Sequence, residues 1–256
     1  MSQQIIVSQS NRILQIQINR PEKRNALTQE MYSAMNDAIA KAESDSDTRV
    51  ILFRGHESAF TAGNDILDFV QSPPAGEDSP VFRFLRAIST AKKPLVAAVN
   101  GVAVGIGTTL LLHCDLVYAG QSARFQLPFV NLGLVPEAGS SWILPQMVGQ
   151  RRAAELLLLG DAFDATTAHS LGIVNKVIAD GDVLSCALSA AEQLAAKPPS
   201  ALRLSKQLMK QHSDATLQAI IGEEGRLFAE QLLSEEAAEA LQAFLEKRKP
   251  DFSRFS

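Results

Sequence analysis

Two glycine-containing segments constrain this chain most: residues 60–66 (FTAGNDI) and residues 100–107 (NGVAVGIG). In each, an extended apolar run gives way to a helical pattern, so backbone N–H groups at the turn lack an intrahelical partner and can point at a ligand oxygen. Two such donors that converge on one oxygen form an oxyanion hole, which stabilises negative charge as it develops during a reaction. Either segment alone is ordinary at a strand-to-helix turn. The pair, in this order, is more distinctive than either segment alone.

The rest of the chain alternates strand and helix patterns. Thr28 stands where an N-cap is expected, ahead of an apolar face at helical spacing. Strands are predicted over residues 5–7, 13–18, 50–53, 95–99 and 116–119, and helices over 29–43, 81–91 and from about 106. This alternation predicts an α/β fold with right-handed crossovers and a largely parallel sheet.

The pattern becomes mostly helical from Arg151 onward. Residues 197–200 (KPPS) interrupt it and predict a boundary between residues 1–197, a core that carries the site, and residues 198–256, a helical association region. A second proline-rich stretch, residues 72–80, has the composition of a surface loop.

Composition narrows the range of partners. The 256 residues carry a formal charge of −4, so the chain lacks the basic field that nucleic acid or anionic lipid requires. Residues 95–112 are apolar, but Asn100, several glycines and the preceding Pro94 favour a buried strand and helix over a membrane span. Cys114 and Cys186 are isolated thiols, and the N-terminus lacks a signal-peptide pattern. We therefore expect a cytoplasmic protein.

The two glycine segments, in their order, resemble those of the crotonase (enoyl-CoA hydratase/isomerase) superfamily. The resemblance runs from residues 13–27 through residues 174–177 (VNKV) to the helical C-terminus, which is nearly the whole chain. It implies a spiral of strand-strand-helix units followed by a helical region. It also implies an acyl-CoA thioester as substrate, with no separate cofactor, and assembly as a homotrimer or a dimer of trimers.

The resemblance assigns roles to residues within these segments. The backbone N–H groups of Asn64 and Ile106 are the expected oxyanion donors, each typically worth about 2.7–4 kcal/mol in the transition state. The residues expected to line the path of the thioester are Ala26, Ala62, Asn64, Asp65, Ile66, Leu67 and Phe129. Asp65, which precedes a short apolar run, is by its own context first of all a helix N-cap.

Carboxylates distinguish the reactions of this superfamily. Hydration in the manner of the family uses two glutamates, and the matching positions here are Thr109 and Phe129, which carry no proton near neutral pH. General acid–base groups contribute roughly 10²–10⁴-fold, so hydration should fall to a trace. Glu137, in residues 134–142 (LVPEAGSSW), resembles the base of isomerases that convert 3-enoyl-CoA to 2-enoyl-CoA. Apolar neighbours would raise its pKa toward the working range.

Alternatives to an isomerase remain open from the sequence alone. They are an enoyl-CoA hydratase, a related enzyme in which Glu137 is a nucleophile or hydrolytic base, and an acyl-CoA-binding scaffold without turnover. The donor pair together with Glu137 argues against the scaffold. No metal site is expected, because metal-ligand spacing is missing among the histidines, which are His56, His113, His169 and His212.

Overall fold

The computed structural model describes residues 4–72, 76 and 78–255. Within them the strands are β1 (Ile5–Ser10), β2 (Ile13–Ile18), β3 (Val50–Arg54), β4 (Ala59–Thr61), β5 (Leu95–Val99), β6 (Val102–Val104), β7 (Leu116–Gly120), β8 (Arg124–Gln126), β9 (Phe163–Asp164) and β10 (Lys176–Ile178). The α-helices are α1 (Gln29–Ser44), α2 (Ile66–Gln71), α3 (Pro80–Ser89), α4 (Ile106–Thr109), α5 (Ser140–Val148), α6 (Gln150–Ala154), α7 (Ala165–Ser170), α8 (Val183–Ala195), α9 (Pro199–Lys210), α10 (Asp214–Leu232) and α11 (Glu235–Leu245). Short 3₁₀ turns lie at Pro21–Lys23, Leu110–His113, Val130–Leu132 and Asp180–Asp182, and a π-helical turn lies at Glu155–Leu159.

The strands form two sheets. The larger has the order β1-β2-β3-β5-β7-β10, and its neighbours are parallel except for the β1–β2 hairpin. The smaller has the order β4-β6-β8-β9 and is parallel except for β8–β9. Along the chain, β3, β5 and β7 of the larger sheet are each followed by a strand of the smaller sheet and then by helix. The fold is therefore the expected crotonase-like spiral of strand-strand-helix units.

The central strands of the larger sheet are buried on both faces. Ile51 and Phe53 of β3 pack in the core that contains α1 and α3, whereas Val50 and Leu52 pack against α8. Side chains alternate across a strand, so a strand covered by helices on both sides needs apolar residues at every position. This explains the unbroken apolar run that predicted the strand.

The C-terminal helices pack against the spiral. α8 ends at Ala195 and α9 begins at Pro199, so the predicted break falls between two helices. Lys206 of α9 forms a buried ion pair with Asp115 at 2.6 Å. The division into residues 1–197 and 198–256 stays a prediction.

Two further expectations concern loops and membranes. The expected surface loop at 72–80 includes residues 73–75 and 77, which lie outside the described residues. Over the part of the chain that is described, no helix has both the length and the apolar character needed to cross a bilayer.

Candidate active site

The two glycine segments lie side by side. β4 and β6 pair in parallel and lead into turns at Gly63 and Gly105, where φ is +90° and +56°. A Cβ at Gly63 would lie 3.0 Å from the backbone oxygen of Val104. A Cβ at Gly107 would lie 2.9 Å from the backbone oxygen of Thr61. Because glycine has no Cβ, the two backbones approach each other directly, and the turns meet in one place.

The backbone N–H of Asn64 has no hydrogen-bond partner among the described residues. A parallel bridge joins residues 27 and 64: Leu27 N–H donates to the Gly63 carbonyl, and Asp65 N–H donates to the Leu27 carbonyl, both at 2.8 Å. In such a bridge the central residue directs its own N–H to the opposite side. The Asn64 amide is therefore held by its neighbours and can donate to a ligand.

Ile106 supplies the second donor. It is the first residue of α4, so its N–H is one of the orphan donors that begin a helix. Gly105 fixes the turn: its N–H donates to the Gln126 carbonyl at 2.9 Å, and its carbonyl accepts from Thr108 and Thr109 N–H at 2.8 and 2.9 Å. The side chain of Ile106 is 1% exposed and packs in the core. Both expected donors thus occur on adjacent turns, without a partner in the described structure.

The carboxylate of Asp65 anchors the first turn. Its Oδ1 accepts from the N–H groups of Leu67 at 3.0 Å and Asp68 at 3.3 Å, which confirms it as the N-cap of α2. Its Oδ2 accepts from the Arg20 guanidinium at 2.6 Å. Burial opposes ionisation, but the hydrogen bonds from Arg20 and from the helix outweigh it and lower the pKa of Asp65. Both oxygens are engaged within the protein, so this side chain holds the loop in place.

A second carboxylate, that of Glu137, lies beside these turns. It is 5% exposed, and its Oε1 atom is buried with no hydrogen-bond partner in the described residues. Burial and, after it, the charge of Glu224 raise the pKa of Glu137 to about 8, against the opposing effect of the Thr109 hydroxyl. A carboxylate with this pKa can remove a proton from the carbon beside a thioester.

Two neighbours place Glu137 next to both donor turns. Thr109, which interacts with Glu137, lies in the same helical turn as Ile106, and its buried Oγ1 atom also lacks a partner within the described chain. Tyr32, whose pKa is raised by burial and by the charge of Glu137, hydrogen-bonds to the side chain of Asn64. The expected base and the two expected donors therefore lie in the same region of the structure.

Long-range contacts hold the Glu137 loop. Ala138 and Gly139 both have positive φ, at +59° and +73°. The Glu224 carboxylate of α10 accepts from Gly139 N–H at 2.5 Å, and His113 Nε2 lies 2.7 Å from the Ala138 carbonyl. Burial lowers the pKa of His113 to about 4, so the ring is neutral near pH 7 and donates through Nε2. The backbone after Glu137 is thus fixed from two separate elements.

The segment around Ala26 lies against the first glycine segment. Ala62 N–H donates to the Arg24 carbonyl, and Ala26 N–H donates to the Lys23 carbonyl, both at 3.0 Å. Ala26 and Ala62 are half-buried, whereas the side chains of Lys23 and Arg24 are exposed. The structure therefore brings the expected lining residues Ala26 and Ala62 to the turn that carries Asn64.

The other expected lining residues differ in exposure. Phe129 is 4% exposed, and its Cε1 atom is the nearest neighbour, at 4.0 Å, of a Cβ placed on Gly105. Ile66 is half-buried at the start of α2, and Leu67 beside it is 49% exposed. Phe129 thus lies beside the second donor turn, while Leu67 faces outward.

Sequence reasoning missed three residues that organise this site: Tyr32, His113 and Glu224. His113 is buried, at 2% exposure. Its bond to the Glu137 loop could not be read from spacing. Glu224 could have been recognised in the sequence, because it is a charged residue on the apolar face of α10 that includes Leu217 and Phe228. A carboxylate on a buried helix face needs partners, which here are the backbone N–H groups of Gly139 and Ser141 in the Glu137 loop.

Comparison with known proteins identifies the family. The model of the enoyl-CoA hydratase/isomerase family matches residues 8–254. The chain therefore belongs to the enoyl-CoA hydratase/isomerase family of the crotonase superfamily, whose substrates are acyl-CoA thioesters, and it is an enzyme of that type.

Relatives within the family carry different names. The chain is 36% identical to the 2,3-dehydroadipyl-CoA hydratase of Escherichia coli, over 97% of this chain and 98% of the relative. It is also 36% identical to enoyl-CoA delta isomerase 2 of Rattus norvegicus, over 97% of this chain and 65% of the rat protein. The structure of Pseudomonas aeruginosa OdaA superposes with a TM-score of 0.93 at 49% identity, covering 95% of this chain and 99% of that one. Family and fold are thus shown, and both reactions occur among relatives of similar identity.

Proposed function

We propose that the protein is an isomerase that converts 3-enoyl-CoA to 2-enoyl-CoA. Glu137 removes a proton from C2 of the acyl chain, and the electron pair of that bond delocalises onto the thioester oxygen. The N–H groups of Asn64 and Ile106 stabilise the resulting dienolate, which they bind more strongly than the neutral thioester. Glu137 then returns the proton to C4, and the double bond moves from C3–C4 to C2–C3. The reaction is redox-neutral and balances without a cofactor.

The observation that carries this proposal is that the donor turns have one carboxylate, Glu137, available as a base, because Asp65 is bonded to Arg20 and to the start of α2. Thr109 and Phe129, at 0% and 4% exposure, occupy the positions at which the family resemblance places the two hydratase glutamates. Neither can move a proton near neutral pH. Glu137 is buried, its Oε1 is unpartnered within the described residues and its pKa is raised, as a base acting on carbon requires. One base is sufficient for a 1,3-proton shift, whereas hydration needs a second group to handle the water.

The test compares two substrates. Moving the double bond into conjugation with the thioester creates a new ultraviolet band, so 3-enoyl-CoA turnover is followed directly. The specificity constant for 3-enoyl-CoA isomerisation should exceed that for 2-enoyl-CoA hydration by roughly a hundredfold or more. Equal specificity constants, or faster hydration, would overturn the proposal and favour the hydratase reaction named for the E. coli relative.

The proposal extends to assembly and location. Several apolar side chains on the C-terminal helices are largely exposed in the single chain, among them Leu204, Leu208, Met209, Leu233 and Phe244. Such residues are typical of a large obligate interface, which supports a homotrimer or a dimer of trimers. Light scattering at micromolar concentration should give a multiple of 27.6 kDa, and the monomer mass would overturn this part. The cysteines at 114 and 186 are free thiols, which supports a cytoplasmic location.

A further inference from the structure

Tyr32 connects a helix outside the glycine turns to one of the two donors. It lies on the buried face of α1, is 1% exposed, and packs its ring edge-to-face against Phe84 at 5.3 Å. Its hydroxyl donates to Oδ1 of Asn64 at 2.5 Å. A buried phenol needs a polar partner, and this one uses the side chain of the residue whose backbone N–H faces the site.

The position of Tyr32 is fixed independently of the glycine segment. Thr28 caps α1 by accepting from Met31 N–H, and Met31 and Met35 are 1% and 0% exposed in the core. The phenol of Tyr32 is therefore held in a fixed position, and the Asn64 side chain is hydrogen-bonded to it. On its backbone side, residue 64 is held by the bridge to Leu27.

We propose that Tyr32 is a positioning residue of the oxyanion hole, acting through its hydrogen bond to Asn64 Oδ1 to fix the orientation of the Asn64 peptide N–H. The inference rests on the proposed role of that N–H in stabilising the enolate. Backbone bonds restrain the two neighbours of Asn64, and the phenol restrains its side chain, so rotation about the Asn64 backbone is opposed from both directions. Small errors in the position of a donor are costly, since displacements of about 1 Å can reduce rates by a hundredfold.

The hydroxyl remains a donor under working conditions. Burial, together with the charge of Glu137, raises the pKa of Tyr32 well above its ordinary value. The phenol therefore stays protonated and keeps its bond to Asn64 whenever Glu137 is ionised. The hydroxyl hydrogen is directed at Asn64 Oδ1, and this bond is what positioning by Tyr32 requires.

The first test is Tyr32→Phe, which keeps the ring and its packing and removes the hydroxyl. The probe is butyryl-CoA labelled with ¹³C at the carbonyl, a saturated thioester, with the carbonyl stretching band recorded by infrared difference spectroscopy. In the parent protein the oxyanion donors should shift this band to lower frequency. In Tyr32→Phe the band should move back toward its position in water, with kcat for 3-enoyl-CoA reduced about tenfold and KM changed less than about twofold. The matched control is Tyr118→Phe, the other tyrosine of the chain, which lies half-buried on β7.

The second test establishes whether Tyr32 acts on the oxyanion hole through its hydrogen bond to the Asn64 side chain. Asn64→Ala keeps the backbone N–H and removes the acceptor of the Tyr32 bond, so it should produce the same band shift and the same loss of kcat. The double variant should be no worse than either single variant, because both changes remove one interaction. A parental band and kcat in Tyr32→Phe, or additive losses in the double variant, would overturn the inference. If Tyr32→Phe failed to fold, the band of Asn64→Ala alone would decide the question.

These readouts separate the two proposals. If the parent protein did not isomerise 3-enoyl-CoA, the proposed function would fail. The band of bound butyryl-CoA would still report whether Tyr32 orients the donor.

Discussion

Replacing Glu137 by Gln should reduce activity and increase stability together. Gln keeps the size of the side chain but cannot accept a proton from carbon. The turnover number for 3-enoyl-CoA should therefore fall by at least about 10²-fold while KM changes little, because the lost interaction acts in the transition state. Binding of the CoA ester should survive, since the Asn64 and Ile106 donors are unaffected.

The stability effect follows from the raised pKa. The pKa of Glu137 is about 8 in the folded protein, against an ordinary value of 4.5. Between these two values the folded chain holds a proton that the unfolded chain has released, so stability falls as pH rises from 4.5 to 8. At about 1.4 kcal/mol for each pH unit, the cost is about 3 kcal/mol at pH 7 and about 5 kcal/mol above pH 8. The amide of the Glu137→Gln variant is neutral in both states and avoids this cost. A sequence-based view of Glu137 as a loop residue predicts a near-neutral change in stability, and its burial corrects that expectation.

The decisive measurement is the melting temperature of Glu137→Gln and of the parent protein at pH 5 and pH 8. Because the gain from losing the charge grows by about 4 kcal/mol over this range, the gap in Tm should widen by about 8 °C. The matched control is Glu57→Gln, at an exposed position, which should show the parental Tm and turnover at both values. Near-parental turnover by folded Glu137→Gln would refute the proton-shuttle role. A Tm gap that is the same at both pH values would refute the raised pKa.

Three further predictions address the supports of the site. Glu224→Gln removes the like charge that helps to raise the pKa of Glu137. The acid limb of the kcat/KM profile, expected near pH 8 in the parent, should therefore move to lower pH. An unmoved limb would contradict the coupling between the two carboxylates. Gly107→Ala should abolish turnover and lower the Tm, because the added Cβ would clash with Thr61. Its control is Gly222→Ala in helix α10, whose added Cβ has no neighbour within 4 Å and which should stabilise the protein by about 0.5–1 kcal/mol in urea titrations. Arg20→Gln leaves the Asp65 carboxylate without its partly buried partner and should cost about 1–2 kcal/mol in the same titrations. A loss below about 0.5 kcal/mol would show that the pair does not anchor the loop.

Five of the six strands of the larger sheet could be predicted from the sequence, whereas its three-residue strand β10 and the smaller sheet could not. In β2, Leu14 and Ile16 alternate with glutamines, and in β3 the apolar run is continuous, so each gives a period that can be recognised. Strands β4, β6, β8 and β9 contain three residues or fewer, which is too short for any period. Their pairing depends on the path of the spiral, which local patterns do not encode.

The same limit applies to the site. Asn64 and Ile106 could be assigned as expected donors through the family resemblance, which rests on the glycine-marked turns that carry them. The bond between Tyr32 and Asn64, and that between Glu224 and Gly139, join residues distant in sequence, so no local pattern contains them. For Glu137 the flanking apolar residues indicated a pocket, but burial, pKa and support of its loop came only with the tertiary contacts.

The unpartnered oxygen of Glu137 is consistent with the reaction assigned to it. A buried polar atom without a hydrogen bond destabilises a fold by about 1–3 kcal/mol and is rare in native proteins. A donor placed on this carboxylate would remove that cost, but it would also lower the pKa and weaken the base. The proton to be removed lies on carbon, which offers no strong hydrogen bond in the ground state, so the base must stay free until the transition state forms. In the proposed reaction, Glu137 Oε1, which has no partner among the described residues, is free to take the proton from C2 and return it at C4. Glu224 and His113 order the Glu137 loop through hydrogen bonds to its backbone. Because these bonds do not involve the Glu137 carboxylate, they do not reduce its basicity.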